Sequence, residues 1–405
     1  MFEPPLSCGP NRRSLCTPVL KLIDIRRAAL IAALAFFVLP WTAGGALARE
    51  DAAREVPPLQ VSARAWAVTD LETGEHLVGR NASDELSMAS TTKIMTALVA
   101  LETDLDEEVT VSEEAAAFAV PVYSNVGLAP GDVLSARELL MATMISSGDD
   151  AAYALAEHVG NGSVETFVGM MNEKAEEMGL QETSFENPIG FDARSHHTSA
   201  GDLAKMTRVA MENPEFREMV STRYATIATP YREIPLTNTN ELLFSYSPAT
   251  GVKTGTTPAA GESLVSSAAS GDEAYAFVIL DAGEDRFAAS VRAFEHAFAA
   301  YDRTDLVVEG EKYAASGVPY RRDERIELVA AETVEGLVDA SPKVEREVTV
   351  IKDLPPSARA GTRLGEVVVQ VDGKRVGESP LVARRGYEEA SLWERVWYTV
   401  DGVIR

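Results

Sequence analysis

The spacing of apolar residues changes period twice along the chain. Between Ala63 and Val68 small and apolar positions alternate, and Thr73-Gly74 followed by Leu77-Val78 completes a pattern that predicts a β-hairpin. Beyond it the period lengthens. Apolar residues recur at steps of three and four over Ser90–Leu101, Ala136–Met144, Asp150–Val159 ending at Gly160, Val164–Met178 and Ala200–Met211, which predicts five helices. Strand character returns in Gly251–Thr256, Ser263–Ala269 and Ala274–Asp281, the last two joined by a Gly271-Asp272 turn, and a helix over Arg286–Tyr301 closes the stretch. Strands at both ends enclosing a helical middle predict an α/β (α+β) domain. Its mostly antiparallel sheet is flanked by helices and built from both ends.

The region from about Arg303 to Arg325 is polar and charged and reads as a linker. After it, Lys343–Ile351 and Gly365–Val371 are short β-branched runs, and Asp372-Gly373 before Lys374-Arg375-Val376 signals a hairpin, so a small all-β C-terminal domain is expected. In the final residues Leu392, Trp393, Val396, Trp397, Val400, Val403 and Ile404 fall on one stripe of a helix, opposite Glu394, Arg395 and Asp401. Such a stripe suits either a membrane surface or a docking face on the β-domain. At the other end, Arg26 and Arg27 precede the apolar run Ala28–Leu39, and Ala46-Leu47-Ala48 supplies a small-x-small cleavage pattern. The run is shorter than the roughly twenty residues of a membrane span, so cleavage after Ala48 is expected, with a retained anchor as the alternative. The expected division is 1–48 as a signal segment with a long n-region, 49–305 as the larger domain, 306–390 as the β-domain and 391–405 as the amphipathic tail.

Charge and cysteines narrow the chemistry. Cys8 and Cys16 both precede the expected cut, which leaves no disulfide or thiolate nucleophile in the mature chain. That chain holds 32 basic and 60 acidic residues, a formal charge near −28, and such a surface repels nucleic acid. His196 and His197 are adjacent but lack a third ligand at a suitable spacing, so no metal site is expected. Nor is there a phosphate loop.

Three short motifs carry the chemistry. Ser90-Thr91-Thr92-Lys93 opens an apolar helix, where positions three apart share a face and bring the Lys93 amine beside the Ser90 hydroxyl. A serine needs a base within reach to act as a nucleophile, and lysine serves when burial keeps it neutral. A helix N-terminus adds a positive dipole where an oxyanion would form. The motif Ser147-Gly148-Asp149 places a second hydroxyl, suited to proton relay, just before another helix, although a Ser or Asp there is also an ordinary helix cap. Lys253-Thr254-Gly255-Thr256 lies on an expected strand, where a lysine and hydroxyls would bind a carboxylate and Gly255 lets a peptide lie close.

Ser-x-x-Lys, then Ser-x-Asn, then Lys-Thr-Gly is the order found in penicillin-binding proteins and serine β-lactamases. From about Ala63 to Tyr301 the chain resembles the low-molecular-mass penicillin-binding proteins, the D-alanyl-D-alanine carboxypeptidases. The resemblance extends to Asp70-Leu71-Glu72-Thr73-Gly74, Asn187-Pro188-Ile189-Gly190-Phe191-Asp192, Thr198–Ala204, and Gly251–Gly255 with Ala260-Gly261. It implies a transpeptidase-like catalytic domain in which Ser90 is the acylated nucleophile, Lys93 its base, Ser147 the proton relay and Lys253 the substrate-binding lysine. Thr254, Gly255 and Thr256 would line the strand edge, and Arg286 would be a carboxylate partner. The implied substrate is a peptidoglycan stem peptide ending in D-Ala-D-Ala, with β-lactam antibiotics as inhibitors and neither metal nor cofactor. It further implies an exported, extracytoplasmic enzyme whose tail meets a membrane surface. One position departs from the pattern: Asp149 stands among the substrate-binding residues where the family usually has Asn. The carboxylate is open to three readings: protonated, paired with a motif lysine, or weakening the hold on a substrate amide. The rivals are a serine β-lactamase, for which Glu182 and Glu186 lie in the right sector without the expected Glu-x-x-Leu-Asn arrangement, and a catalytically impaired wall-binding protein.

Overall fold

The computed structural model describes residues 56–339 and 341–404; the expected export segment at 1–48, with both cysteines, lies outside them. The central sheet has five antiparallel strands in the order His76–Arg80, Ala63–Asp70, Glu273–Ala282, Gly261–Ser270, Ala249–Thr257. Both ends of the sequence stretch therefore meet in its middle. Successive strand residues face opposite ways, and here both faces are covered. Ala65, Ala67, Val278 and Leu280 join one apolar cluster with the helices Lys93–Ala100 and Ala200–Glu212. Their neighbours Trp66, Val68, Phe277 and Ile279 join a second cluster with Ala293 and Phe294 of the helix Arg286–Ala300. Burial on both faces explains why these strands read as nearly continuous apolar runs.

The five expected helices are present, with one refinement: the first is a 3-10 turn, Ala89–Thr92, continued by the α-helix Lys93–Ala100, whose residues are all buried. Elements that the apolar pattern did not announce also appear. They include the helix Pro214–Ser221, the hairpin Tyr224–Thr229 with Arg232–Thr237, and the short pair Glu108–Thr110 with Val133–Ser135.

The segment expected to be a linker is instead strand. Tyr301–Val307 pairs with Val334–Asp339, and Lys312–Gly317 forms the edge of a five-stranded sheet ordered Lys312–Gly317, Arg325–Ala330, Lys374–Ala383, Arg363–Val371, Val344–Val350. Tyr301–Val307 has one largely exposed side and the edge strand Lys312–Gly317 is only half-buried, so their polar residues meet water while Leu306 and Val307 close the β-domain core with Leu328, Val367 and Leu381. A buried ion pair links this region to the central sheet: Arg303 Nη2 lies 2.9 Å from Asp70 Oδ2. The tail helix Leu392–Ile404 leans on the β-domain through Arg395 and Tyr398, which meet Tyr320, while Leu392, Trp393 and Trp397 are 79%, 77% and 67% exposed. Its apolar stripe is thus not the docking face. Among the described residues no helix is long and apolar enough to cross a membrane.

Candidate active site

The turn that carries Ser90 is tightly enclosed. Ala89 adopts φ 49°, a left-handed conformation that an L-residue keeps only when its surroundings enforce it. Two glycines make the room. A Cβ on Gly190, itself at φ 97°, would collide with the Ala89 carbonyl, and one on Gly255 would lie 3.1 Å from Met88 O, Ala89 Cβ and Ser90 N. Gly255 thus lets the strand approach the serine turn itself. The turn is also laced from within and behind. Thr91 Oγ1 donates to Met88 O at 2.6 Å, Thr92 Oγ1 donates to Ala89 O at 2.8 Å, and Thr92 Oγ1 meets His196 Nε2 at 2.8 Å.

Lys93 follows as the first residue of the α-helix, completely buried. Its Nζ lies 2.9 Å from Ser90 Oγ, 2.9 Å from Ile189 O and 2.5 Å from Asp149 Oδ1. Burial pushes this amine below the ordinary lysine range, while the carboxylate of Asp149 and the more distant Asp150 pull it back up. Of the three readings of Asp149, the structure shows the second: it pairs with a motif lysine. Asp149 opens the helix Asp149–Val159, where the helix dipole favours an anion. Ser147 lies two residues earlier, 4% exposed, in a left-handed conformation at φ 59°.

Lys253 is buried in the strand Ala249–Thr257 and donates to Thr254 O at 3.0 Å. Its amine is held well below the usual lysine range by burial first and by the charges of Lys93 and Arg286, with Asp149 opposing. Arg286, at the head of its helix, places Nη1 2.8 Å from Gly255 O, 2.9 Å from Thr256 Oγ1 and 3.1 Å from Ser263 O. It buttresses the strand end. Thr254 Oγ1 shares a 2.7 Å hydrogen bond with Thr239 Oγ1.

The Ser90–Lys93–Asp149 contacts and the Lys253–Arg286 strand are thus drawn into one neighbourhood, a hydroxyl with an amine in hydrogen-bond reach beside cationic and hydroxyl groups. Such a set suits acyl transfer on a substrate ending in a carboxylate. Three participants escaped the sequence reading. His196 braces Thr92, the Ile189 carbonyl receives Lys93, and Asn187 Oδ1 accepts from the N–H groups of Gly190 and Phe191 to hold that turn. The glycine in Asn187–Asp192 was the available signal for the last two. Glu186, weighed as a β-lactamase carboxylate, accepts instead from Ser195 N. Among the described residues no group of three or more His, Cys, Asp or Glu side chains is placed to hold a metal ion.

Comparison with known proteins finds matches to two family models. Residues 51–284 match the family described as D-alanyl-D-alanine carboxypeptidase, peptidase S11, and residues 301–389 match the C-terminal domain of penicillin-binding protein 5. The chain is 31% identical over 363 residues to the D-alanyl-D-alanine carboxypeptidase DacF of Bacillus subtilis, covering 86% of this chain and 92% of that one. Among solved structures, penicillin-binding protein 5 of Haemophilus influenzae superposes with a TM-score of 0.66 at 27% identity, over 82% of this chain and all of that one. The Streptomyces K15 DD-transpeptidase matches at 35% identity and a TM-score of 0.56, over 59% of this chain and 98% of its own. With the match spanning more than half its length, the chain belongs to the D-alanyl-D-alanine carboxypeptidases, serine peptidases of family S11.

Proposed function

We propose that this enzyme removes the terminal D-alanine from peptidoglycan stem pentapeptides through an acyl-enzyme on Ser90. The observation that carries the reading is the 2.9 Å contact between Ser90 Oγ and the fully buried Lys93 amine. Lys93 in its neutral form takes the hydroxyl proton as Ser90 Oγ attacks the carbonyl of the penultimate D-alanine. The C–N bond breaks, the leaving amine of the terminal D-alanine receives a proton by way of Ser147, and water then hydrolyses the ester at Ser90. The positive dipole at the head of the Ser90 turn and its helix favours the oxyanion. Lys253, Thr254, Thr256 and Arg286 hold the terminal carboxylate, charge-assisted hydrogen bonds giving both affinity and register. No step calls on a metal or cofactor. β-Lactams acylate the same hydroxyl.

The substrate places the enzyme outside the cytoplasm, and the outward stripe of Leu392, Trp393, Val396 and Trp397 suits contact with a membrane surface, where tryptophan is favoured. The test is labelling with a fluorescent penicillin, mass spectrometry of the acylated peptide, and D-alanine release from a pentapeptide. Acylation is expected at Ser90, and Ser90→Ala abolishes both signals. A label on another residue, or D-alanine release that survives Ser90→Ala, overturns the reading.

A further inference from the structure

Four aromatic rings stand together on segments tied to those of the site, and the chemistry above uses none of them. Phe118 lies 5.3 Å from Tyr123, 4.9 Å from Tyr153 and 5.7 Å from Phe191 between ring centroids, and Tyr123 stacks on Phe191 at 5.0 Å. All four rings are partly exposed, and neighbouring Val122 is 80% exposed. Phe118, Tyr123 and Phe191 belong to neither core cluster of the domain, and Tyr153 packs half-buried at the edge of one, so packing does not consume most of this surface.

Three separate attachments tie the rings to the site. Tyr153 is four residues after Asp149 on the same helix, hence one turn along the same face. The loop bearing Phe118 and Tyr123 is fastened to the start of that helix: Ser124 O accepts from Asp149 N at 2.7 Å, and the Asp150 carboxylate accepts from Val126 N at 3.1 Å and Leu128 N at 3.0 Å. Phe191 sits two residues after Ile189, whose carbonyl receives Lys93, and Asp192 Oδ1 accepts from Thr257 Oγ1 at the far end of the Lys253 strand, 2.6 Å away. The segments that bear the rings are thus fastened to the segments that carry Asp149 and the carbonyl partner of Lys93.

We propose that Phe118, Tyr123, Tyr153 and Phe191 form a subsite for the part of the stem peptide that precedes D-Ala-D-Ala. The proposal rests on the carboxypeptidase reading. The strand groups Lys253 and Arg286 claim the carboxylate end of the substrate, so the residues upstream of the scissile bond extend away from them, across the Lys93–Asp149 pair. A neutral cluster of ring faces offers those residues apolar area for aliphatic side chains and peptide planes. Rings held by anchored backbone lose little freedom on binding, which makes them specificity-determining rather than catalytic.

The experiment compares a full stem pentapeptide with acetyl-D-Ala-D-Ala, which lacks the upstream residues. In the double variant Tyr123→Ala, Phe191→Ala, kcat/KM for the pentapeptide should fall about tenfold, chiefly through KM, as loss of an aromatic anchor does. Hydrolysis of acetyl-D-Ala-D-Ala and the final extent of penicillin labelling should stay unchanged, and Tyr123→Phe should retain the preference. Equal losses on both substrates, or no loss on the pentapeptide, overturn the subsite. If the double variant no longer labels, Tyr123→Leu, which keeps apolar volume without a ring, carries the same comparison. Wild-type enzyme that releases D-alanine from neither peptide refutes the carboxypeptidase reading itself, a result distinct from loss of preference.

Discussion

Lys93 Nζ and Asp149 Oδ1 meet at 2.5 Å in a setting where the lysine side chain is 0% and the aspartate 7% exposed. The base that Ser90 needs therefore begins its cycle beside an anion, where the family usually presents an amide. Buried contact with a carboxylate favours the ammonium form, while desolvation favours the free amine. Both act on this one nitrogen.

Asp149→Asn removes the nearer of the two opposing carboxylates and leaves desolvation opposed by the more distant Asp150 alone. Its Lys93 is expected to lose its proton more readily, so the acidic limb of the pH–rate profile for penicillin acylation moves to lower pH. Carboxypeptidase activity at neutral pH is kept or raised, by up to roughly tenfold. The limb is read from acylation rates between mildly acid and mildly alkaline pH. A limb that stays in place, or a complete loss of activity, would show that the carboxylate has a role of its own in catalysis.

Gly190→Ala tests the enclosure of the nucleophile. The position has φ 97°, and an added Cβ points into the backbone of Ala89 and Ser90, neither of which yields as a flexible side chain would. The serine turn has to shift, and a displacement near 1 Å costs on the order of 10²-fold in rate. Penicillin acylation slowed by about that factor, with a cooperative thermal transition preserved, is the expected result. Gly162→Ala is a control for left-handed strain alone, because its φ is 88° and nothing crowds its Cβ.

How far the site was legible follows from sequence distance. Ser90 and Lys93 are three apart, so helical geometry announces their contact, and the structure places them 2.9 Å apart. The partners Ile189 and His196 lie 96 and 104 residues away from the groups they touch, and no local period encodes such pairings. The same logic sorts the fold. Strands such as Glu273–Ala282, buried on both faces, stand out as apolar runs, whereas Tyr224–Thr229 and Tyr301–Val307 carry exposed polar positions and read as loop. Asp149 showed as a departure in the sequence; only the fold revealed which lysine it meets.

Arg303→Ala should be among the most destabilising substitutions in the β-domain. Asp70 is fully buried, and its Oδ1 is taken up by Thr73 N and Thr73 Oγ1 at 2.7 Å each, leaving Oδ2 to the Arg303 guanidinium at 2.9 Å. Removing one member of a buried pair strands the other, a loss of about 3 kcal/mol or more. Chemical denaturation measures it. The double variant Asp70→Asn, Arg303→Ala should recover part of the loss, because no uncompensated charge then remains, and absence of recovery would argue that Arg303 contributes by packing alone.

His196 makes stability depend on pH in a window where a solvent-exposed histidine would not. The backbone N–H of Glu186 donates to His196 Nδ1 at 3.0 Å, so Nδ1 carries no proton and Nε2–H donates to Thr92 Oγ1. Burial, aided by His197 and opposed by Asp192, lowers the pKa from 6.5 to about 4. The unfolded chain takes up the proton first as pH falls. Stability is thus full above about 6.5, declines through the interval and levels off below about 4, a difference of about 3 kcal/mol. Thermal unfolding of wild type and His196→Gln at pH values across that interval tests the assignment. The wild-type midpoint should fall more steeply toward acid than that of the variant, because carboxylate titrations common to both cancel in the difference. Parallel curves would mean that His196 titrates alike in the folded and unfolded chain, which is incompatible with a buried neutral ring bracing the nucleophile turn.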